Sequence, residues 1–259
     1  MNARADDGSA GDVDYGAIGA GYADHRRPDP RIAALVHQAL GTARTVVNVG
    51  AGAGSYEAVS LDVTAVEPSA AMRAQRPPHL APAIDAVAER LPFADDSFDA
   101  AMTTFSVHQW SDPAAGLREL RRVATGPVVV LTCDPRRVRD FWLHDYCPEV
   151  LDTEARRYPE VDALTAALGG TVRVTPVPIP LDCSDGFNEA YYGRPERLLD
   201  PAARRACSAW SFVDAPVRDR FADALRRDLA DGTWDARHGA LRERPSLEGS
   251  LVLLRALPA

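Results

Sequence analysis

The sequence predicts an α/β domain in which a mostly parallel sheet is wound on both faces by helices, a doubly wound arrangement. Three observations predict it. Short β-branched runs alternate with helical segments from Thr45 to Asp134, the pattern of repeated strand–helix–strand units. The first run, Val46-Val47-Asn48-Val49, ends in Gly50-Ala51-Gly52-Ala53-Gly54. Alternate glycines there allow a sharp turn and let a ligand approach bare backbone N–H groups. The second run ends in the acid Glu67, 17 positions beyond Gly50, near the spacing of about 20 at which a carboxylate reaches a ribose.

Taken in order, residues 1–14 are small, polar and acidic and predict a disordered tail. Residues 15–30 hold two tyrosines, two arginines and prolines that prevent a long helix. Arg31 to Leu40 is amphipathic, with Asp29 as N-cap, Pro30 at the first position and Gly41 past the end. Strands are expected at 45–49, 63–67, 83–86, 98–103 and 127–132. Helices are expected near 55–61, 69–75 and 113–124, the last bracketed by Pro113 and Gly126. A helix over Val161–Leu168 closes at Gly169-Gly170, and a proline-punctuated strand follows over 171–181. Residues 183–245 read as helical and aromatic, and Gly249 to Leu257 as a last apolar strand.

At 259 residues the chain has room for one such domain with an appended cap. A net charge of −8 argues against nucleic acid. All 29 basic residues are arginine, so a phosphate-cradling lysine and Schiff-base chemistry are excluded. Four separated cysteines without a C-x-x-C pair indicate neither a metal nor a disulfide framework. No run is long enough to span a membrane and the acidic start is no signal peptide, so a cytoplasmic protein is expected. Arginine without lysine, with abundant alanine, points to a GC-rich bacterial genome.

The glycine loop narrows the ligand. A dinucleotide fingerprint places its third glycine where this chain has Ser55. Gly50-x-Gly52-x-Gly54 after a strand, Glu67-Pro68 after the next, the stretch Ala88-Glu89-Arg90-Leu91-Pro92-Phe93 and Thr103-Thr104-Phe105-Ser106-Val107-His108 follow in a characteristic order. Together they resemble class I S-adenosylmethionine-dependent methyltransferases, in particular the small-molecule branch that includes ubiquinone and menaquinone C-methyltransferases.

That resemblance implies a Rossmann-like, seven-stranded sheet whose last strand runs antiparallel beside the fifth, with a helical cap inserted before it. The implied domains are an N-terminal lid (15–30), a cofactor domain (31–182), a cap (183–246) and the final strand (247–259). It implies that S-adenosylmethionine lies against Gly50, Ala51, Gly52 and Gly54, with Asn48 near the ammonium group. Glu67 and Pro68 would meet the ribose, Met72, Ala88 and Glu89 the adenine, and Thr104 and Phe105 the sulfonium. Tyr15, Tyr22 and Arg26 look like a lid that clamps the cofactor. Asn48 and Val87 stand where the family usually has acids.

His108 and His144 are the candidate bases, since imidazole titrates near neutrality; His108 also reads as a packed residue at a helix start. Trp142, Tyr146, Phe187, Tyr191 and Arg194 are candidates to line a substrate pocket, although aromatics also make ordinary core. The expected activity is methyl transfer to oxygen, nitrogen or carbon of a small metabolite in bacterial secondary metabolism, by a monomer or homodimer that binds no metal. Two rival readings stay open: a non-methylating reaction such as a cyclisation on the same fold, and a non-catalytic partner subunit.

Overall fold

The computed structural model describes residues 22–258, with Tyr22 and Ala23 as backbone only. The expected tail and Tyr15 lie outside them, as does the side chain of Tyr22. A short helix, α1 (Tyr22–His25), leads into α2 (Pro30–Leu40). Asp29 caps α2 by accepting from Arg31 N at 2.9 Å, and Gly41 leaves it at φ 68°. Buried Ile32, Val36, Ala39 and Leu40 form the face that meets the sheet.

The main sheet contains β1 (Thr45–Val49), β2 (Asp62–Val66), β3 (Ala100–Thr104), β4 (Val128–Cys133), β5 (Thr171–Pro176) and β8 (Leu251–Leu257). A two-residue pair, β6 (Ile179–Pro180) with β7 (Ser246–Leu247), stands apart from it. The sheet order is β2-β1-β3-β4-β8-β5. The first four strands are parallel, and β8 runs antiparallel between β4 and β5. β1, β3 and β4 are almost wholly buried, and β1 and β4 are mostly β-branched, as suits strands covered on both faces.

Two expected elements are corrected. The strand at 83–86 shrinks to one bridge, in which Ile84 N donates to Ala65 O and Ile84 O accepts from Glu67 N. Pro82 offers no N–H, and Ile84 is half exposed with little to cover it. The main sheet therefore has six strands among the described residues, not seven. The helix at 55–61 is a series of turns. Gly54 (φ 96°) and Tyr56 (φ 66°) are left-handed, which no α-helix accommodates. Tyr56 is held there by burial, by Tyr56 O on His37 Nε2 and by its hydroxyl, which donates to Asp185.

On one face of the sheet lie α4 (Pro113–Val123) and α6 (Val161–Leu168), which pack on each other over Leu117, Leu120, Leu164 and Leu168. Asp112 caps α4 through Ala115 N. The other face carries α2 and a helical layer that share one core with the sheet, where Trp142, Trp210, Phe221 and Trp234 are buried. This layer comprises α5 (Pro148–Arg157), α7 (Pro201–Arg205), α8 (Ala215–Ala230) and α9 (Thr233–His238), with short 3-10 turns. It draws on 138–157, between β4 and α6, as well as on 183–246. The short α3 (Ala70–Arg73) follows β2. All four cysteines are buried and unbridged. No described helix is long and apolar enough to cross a membrane, and no cluster of metal-ligating side chains occurs among the described residues.

Candidate functional site

The carboxyl ends of β1, β2 and β3 open into a cleft of about 810 Å³ including its mouth, where an open parallel sheet binds ligands. β1 delivers Gly50, Ala51 and Gly52; β2 delivers Glu67 and Pro68; β3 delivers Thr104, Phe105 and Ser106. Met72 and Ala88 complete one wall. The turn at Gly50 has φ 68°, and a Cβ there would stand 1.7 Å from Ser106 Oγ. Glycine is therefore required both by the backbone angle and by the close approach of the β3 loop. Beneath the loop, Asn48 Nδ2 donates to Glu57 Oε1 at 3.0 Å, and Glu57 pairs with buried Arg76 at 2.8 Å. The polar chain pins the loop to the segment after α3.

Glu67 is 7% exposed. Its Oε1 accepts from Ser69 N and its Oε2 from Gly52 N, each at 2.8 Å. Burial pushes its carboxyl above the ordinary range, opposed by those two N–H donors and by Arg73 and Arg76. Each oxygen keeps a second lone pair for a ligand diol. In the opposite wall, Gln109 has both amide atoms buried without a partner. A buried orphan donor–acceptor pair is costly unless a ligand completes it, and the edge of a purine offers both functions. Trp110 lies beside it, its Nε1 donating to Ser106 Oγ at 3.0 Å. The residues thus fit S-adenosylmethionine: N–H groups of the loop for its amino-acid end, Glu67 for the ribose, Gln109, Met72 and Ala88 for the adenine.

Several expected site residues stand elsewhere. Glu89 turns away and accepts from Ser111 Oγ and Asp112 N, a cap for the loop before α4. Gly54 shapes the loop but lies off the cleft lining, against Leu80 and Arg76. Asn48 is wholly buried beneath the glycines, its Oδ1 without a partner. Arg26 does reach the cleft, but its guanidinium is held by Asp185 at 2.5 Å and lies 5.1 Å over the Phe105 ring. His144 is corrected to a surface residue, 3.8 Å from Asp152 and remote from the cleft lining. Trp142 donates to Tyr192 O and packs edge-on to Trp234, and Tyr146 donates to Asp228. Arg194 donates to the carbonyls of Cys183 and Ala190 and lies over the buried Tyr191. Trp142, Tyr146 and Tyr191 pack into the core of the helical layer, since large rings there bury the most apolar area, and Arg194 braces the backbone beside them.

A second cavity, about 540 Å³ with its opening, abuts the first; Arg26 and Phe105 belong to the walls of both. Phe187 lines it, 5.3 Å from Phe105. His108 lines it too, on the turn after β3, with its ring 4.5 Å from Tyr158. Burial, with the positive charges of Arg157 and Arg26, pulls its pKa down to about 3. The expectation of a near-neutral base is corrected: the imidazole is neutral and weakly basic. Sequence reasoning missed Tyr56, Asp185, Gln109, Glu154 and Asn188 altogether. Of these only Asp185 and Asn188 had a local signal, the polar stretch of 183–189 around Phe187, and it is too short to assign to a site.

Residues 47–131 match the family model of a methyltransferase domain, a range that runs from β1 to β4. A solved protein of Anabaena variabilis, assigned as a methyltransferase from an antibiotic biosynthesis pathway, is 27% identical. That match covers 90% of this chain and 98% of the other, with a TM-score of 0.83. A SAM-dependent methyltransferase of Thermotoga maritima shares the fold at 17% identity and a TM-score of 0.50, over 95% of this chain and 93% of that one. The uncharacterized protein YafE of Escherichia coli K12 is 43% identical over 60 residues, which span 22% of this chain and 29% of that relative. A glycine loop after β1, an acid closing β2 and an antiparallel strand set between β4 and β5 thus coincide with these matches: residues 47–131 match a methyltransferase domain, and the chain as a whole is similar in fold to S-adenosylmethionine-dependent methyltransferases.

Proposed function

We propose that the protein transfers a methyl group from S-adenosylmethionine to a small-molecule acceptor seated in the second cavity. The observation that carries this reading is the shared wall: Phe105 and Arg26 border both spaces, so ligands in the two lie side by side. Likeness to the Anabaena protein supports a role in secondary metabolism. The net charge of −8 supports a small-molecule acceptor over nucleic acid. We place the activity in the cytoplasm, in a monomer or homodimer.

Bound in the first cleft, S-adenosylmethionine supplies an electrophilic methyl group on a sulfonium. The chain's own work is alignment and exclusion of water. Glu67, the loop N–H groups and Gln109 hold three separate ends of one ligand. Alignment of two reactants in this way contributes up to roughly 7–11 kcal/mol. Phe105, at φ 50° and with its N–H on Leu131 O, is held rigidly where the cavities meet.

The test is calorimetry with S-adenosylhomocysteine, followed by a screen for its release from S-adenosylmethionine with candidate acceptors. Binding and acceptor-dependent release are expected. Turnover of an acceptor without release of S-adenosylhomocysteine would instead show a non-methylating enzyme, and binding without any turnover a partner subunit.

A further inference from the structure

We propose that the second cavity takes a small acceptor through an ionisable hydroxyl, a phenol or enol, and that Glu154 removes its proton as the methyl group is transferred. This rests on the methyl-transfer reading above. The cavity is ring-walled: Phe105, Phe187, Tyr158 and His108 face it, which suits a flat acceptor of one or two rings. Its one acid is Glu154, on α5. Asn188 Nδ2 donates to Glu154 Oε2 at 2.8 Å, and Trp210 Nε1 donates to Asn188 Oδ1 at 3.0 Å. A buried indole thus orients a buried amide, which orients the carboxylate.

The charges around it select the ligand. His108 is neutral, and its buried Nδ1 has no hydrogen-bond partner in the fold. Arg26, paired with Asp185 at 2.5 Å, and Arg157, which donates to Ser208 Oγ at 3.0 Å, line the same space and lower the His108 pKa, so two guanidiniums contribute a positive field beside the Glu154 carboxyl. Such a field disfavours an ammonium and stabilises an oxyanion. Burial raises the Glu154 carboxyl above its ordinary value despite Arg157 and Arg26, which brings it closer to the acidity of a phenol.

The step balances. The acceptor O–H bond breaks and its proton goes to Glu154. The oxygen lone pair forms the new C–O bond, and the C–S bond breaks with its electron pair left on sulfur. The products are a methyl ether, S-adenosylhomocysteine and protonated Glu154, which returns its proton to water.

The experiment begins with wild-type protein saturated with S-adenosylhomocysteine. It is titrated calorimetrically with a panel of one- and two-ring phenols, the matching benzylamines, which are ammonium ions at neutral pH, and the matching arenes that lack the hydroxyl. Phenols are expected to bind about tenfold tighter than either counterpart. Glu154→Gln keeps an oxygen for Asn188. It should melt as wild type does and bind S-adenosylhomocysteine within about twofold, yet methylate the preferred phenol some 10²–10⁴-fold more slowly. Preference for benzylamines or for arenes without the hydroxyl, no binding by any phenol, or wild-type rates in Glu154→Gln would each overturn the proposal alone. Failure of wild type to bind S-adenosylhomocysteine would overturn the methyl-transfer reading as well. Because the ligand preference is read on wild type, a variant that fails to fold leaves the test intact.

Discussion

Glu67 couples the two halves of the cofactor cleft, because one carboxylate accepts from Gly52 N on the first loop and Ser69 N on the second. Glu67→Gln should weaken S-adenosylhomocysteine binding by roughly 1–3 kcal/mol, the range for charge-assisted hydrogen bonds. Calorimetry checks this, and unchanged affinity would remove Glu67 from the site. Tyr56 acts over a longer span. Its hydroxyl donates at 2.7 Å to Asp185, a residue 129 positions away that also holds Arg26. Burial raises the phenol's pKa beyond its usual value, with the charge of Asp185 adding to the effect. It therefore stays a donor at any physiological pH. Tyr56→Phe should cost about 1.5–3 kcal/mol of stability in urea unfolding, the value of a buried bond to a charged acceptor.

At the scale of elements, α2 shows how one residue ties local to long-range structure. Asp29 caps the helix through Arg31 N and also accepts from Ser184 N, in the segment that leads into the helical layer. Burial alone would raise its pKa, but hydrogen bonds from Arg31 and Ser184 hold it down to about 2. A carboxyl depressed in the fold stabilises it above the unfolded pKa of about 3.8, and that contribution is lost as pH falls through about 2. Asp29→Ala should cost about 1–2 kcal/mol at neutral pH. Thermal melts should find the gap between variant and wild type closing as the solution is acidified toward pH 2; a constant gap would refute the assignment.

For the whole molecule, the junction of helical layer and sheet is set by Glu189, which accepts from Ser250 N and Ser250 Oγ at the start of β8. Burial raises its carboxyl to about 7, with Glu154 adding to the rise and Ser250 and Arg137 opposing it. The sign follows from the direction. A group with a raised folded pKa contributes stability below the unfolded value of 4.5, and this is lost as pH rises through about 7. Glu189→Gln removes the titration and keeps an acceptor for Ser250. Its stability relative to wild type should therefore climb between pH 4.5 and 7, by on the order of 3 kcal/mol at about 1.4 kcal/mol per pKa unit. Urea unfolding across that range checks it, and a flat difference would show that Glu189 is ionised throughout.

The sequence by itself determined β1, α2, α4 and the cofactor loops, because each is encoded locally. A β-branched run ends in a glycine that the φ of the turn demands, and caps sit one residue outside their helices. Gly50, Gly52, Glu67, Met72, Ala88, Thr104 and Phe105 were legible as residues of one cleft wall for the same reason: each lies within a few residues of the end of a readable element. Only the tertiary structure decided the rest. The segment 55–61 has the composition of a helix, yet a buried ring and a distant carboxylate hold Tyr56 left-handed. The aromatics of the helical layer split into core, such as Trp142, and cavity wall, such as Phe187, with no local difference between them. Glu154, Asn188 and Trp210 become one chain through contacts 34 and 22 positions apart. Such convergence depends on how layers pack, and no periodicity along the chain records it.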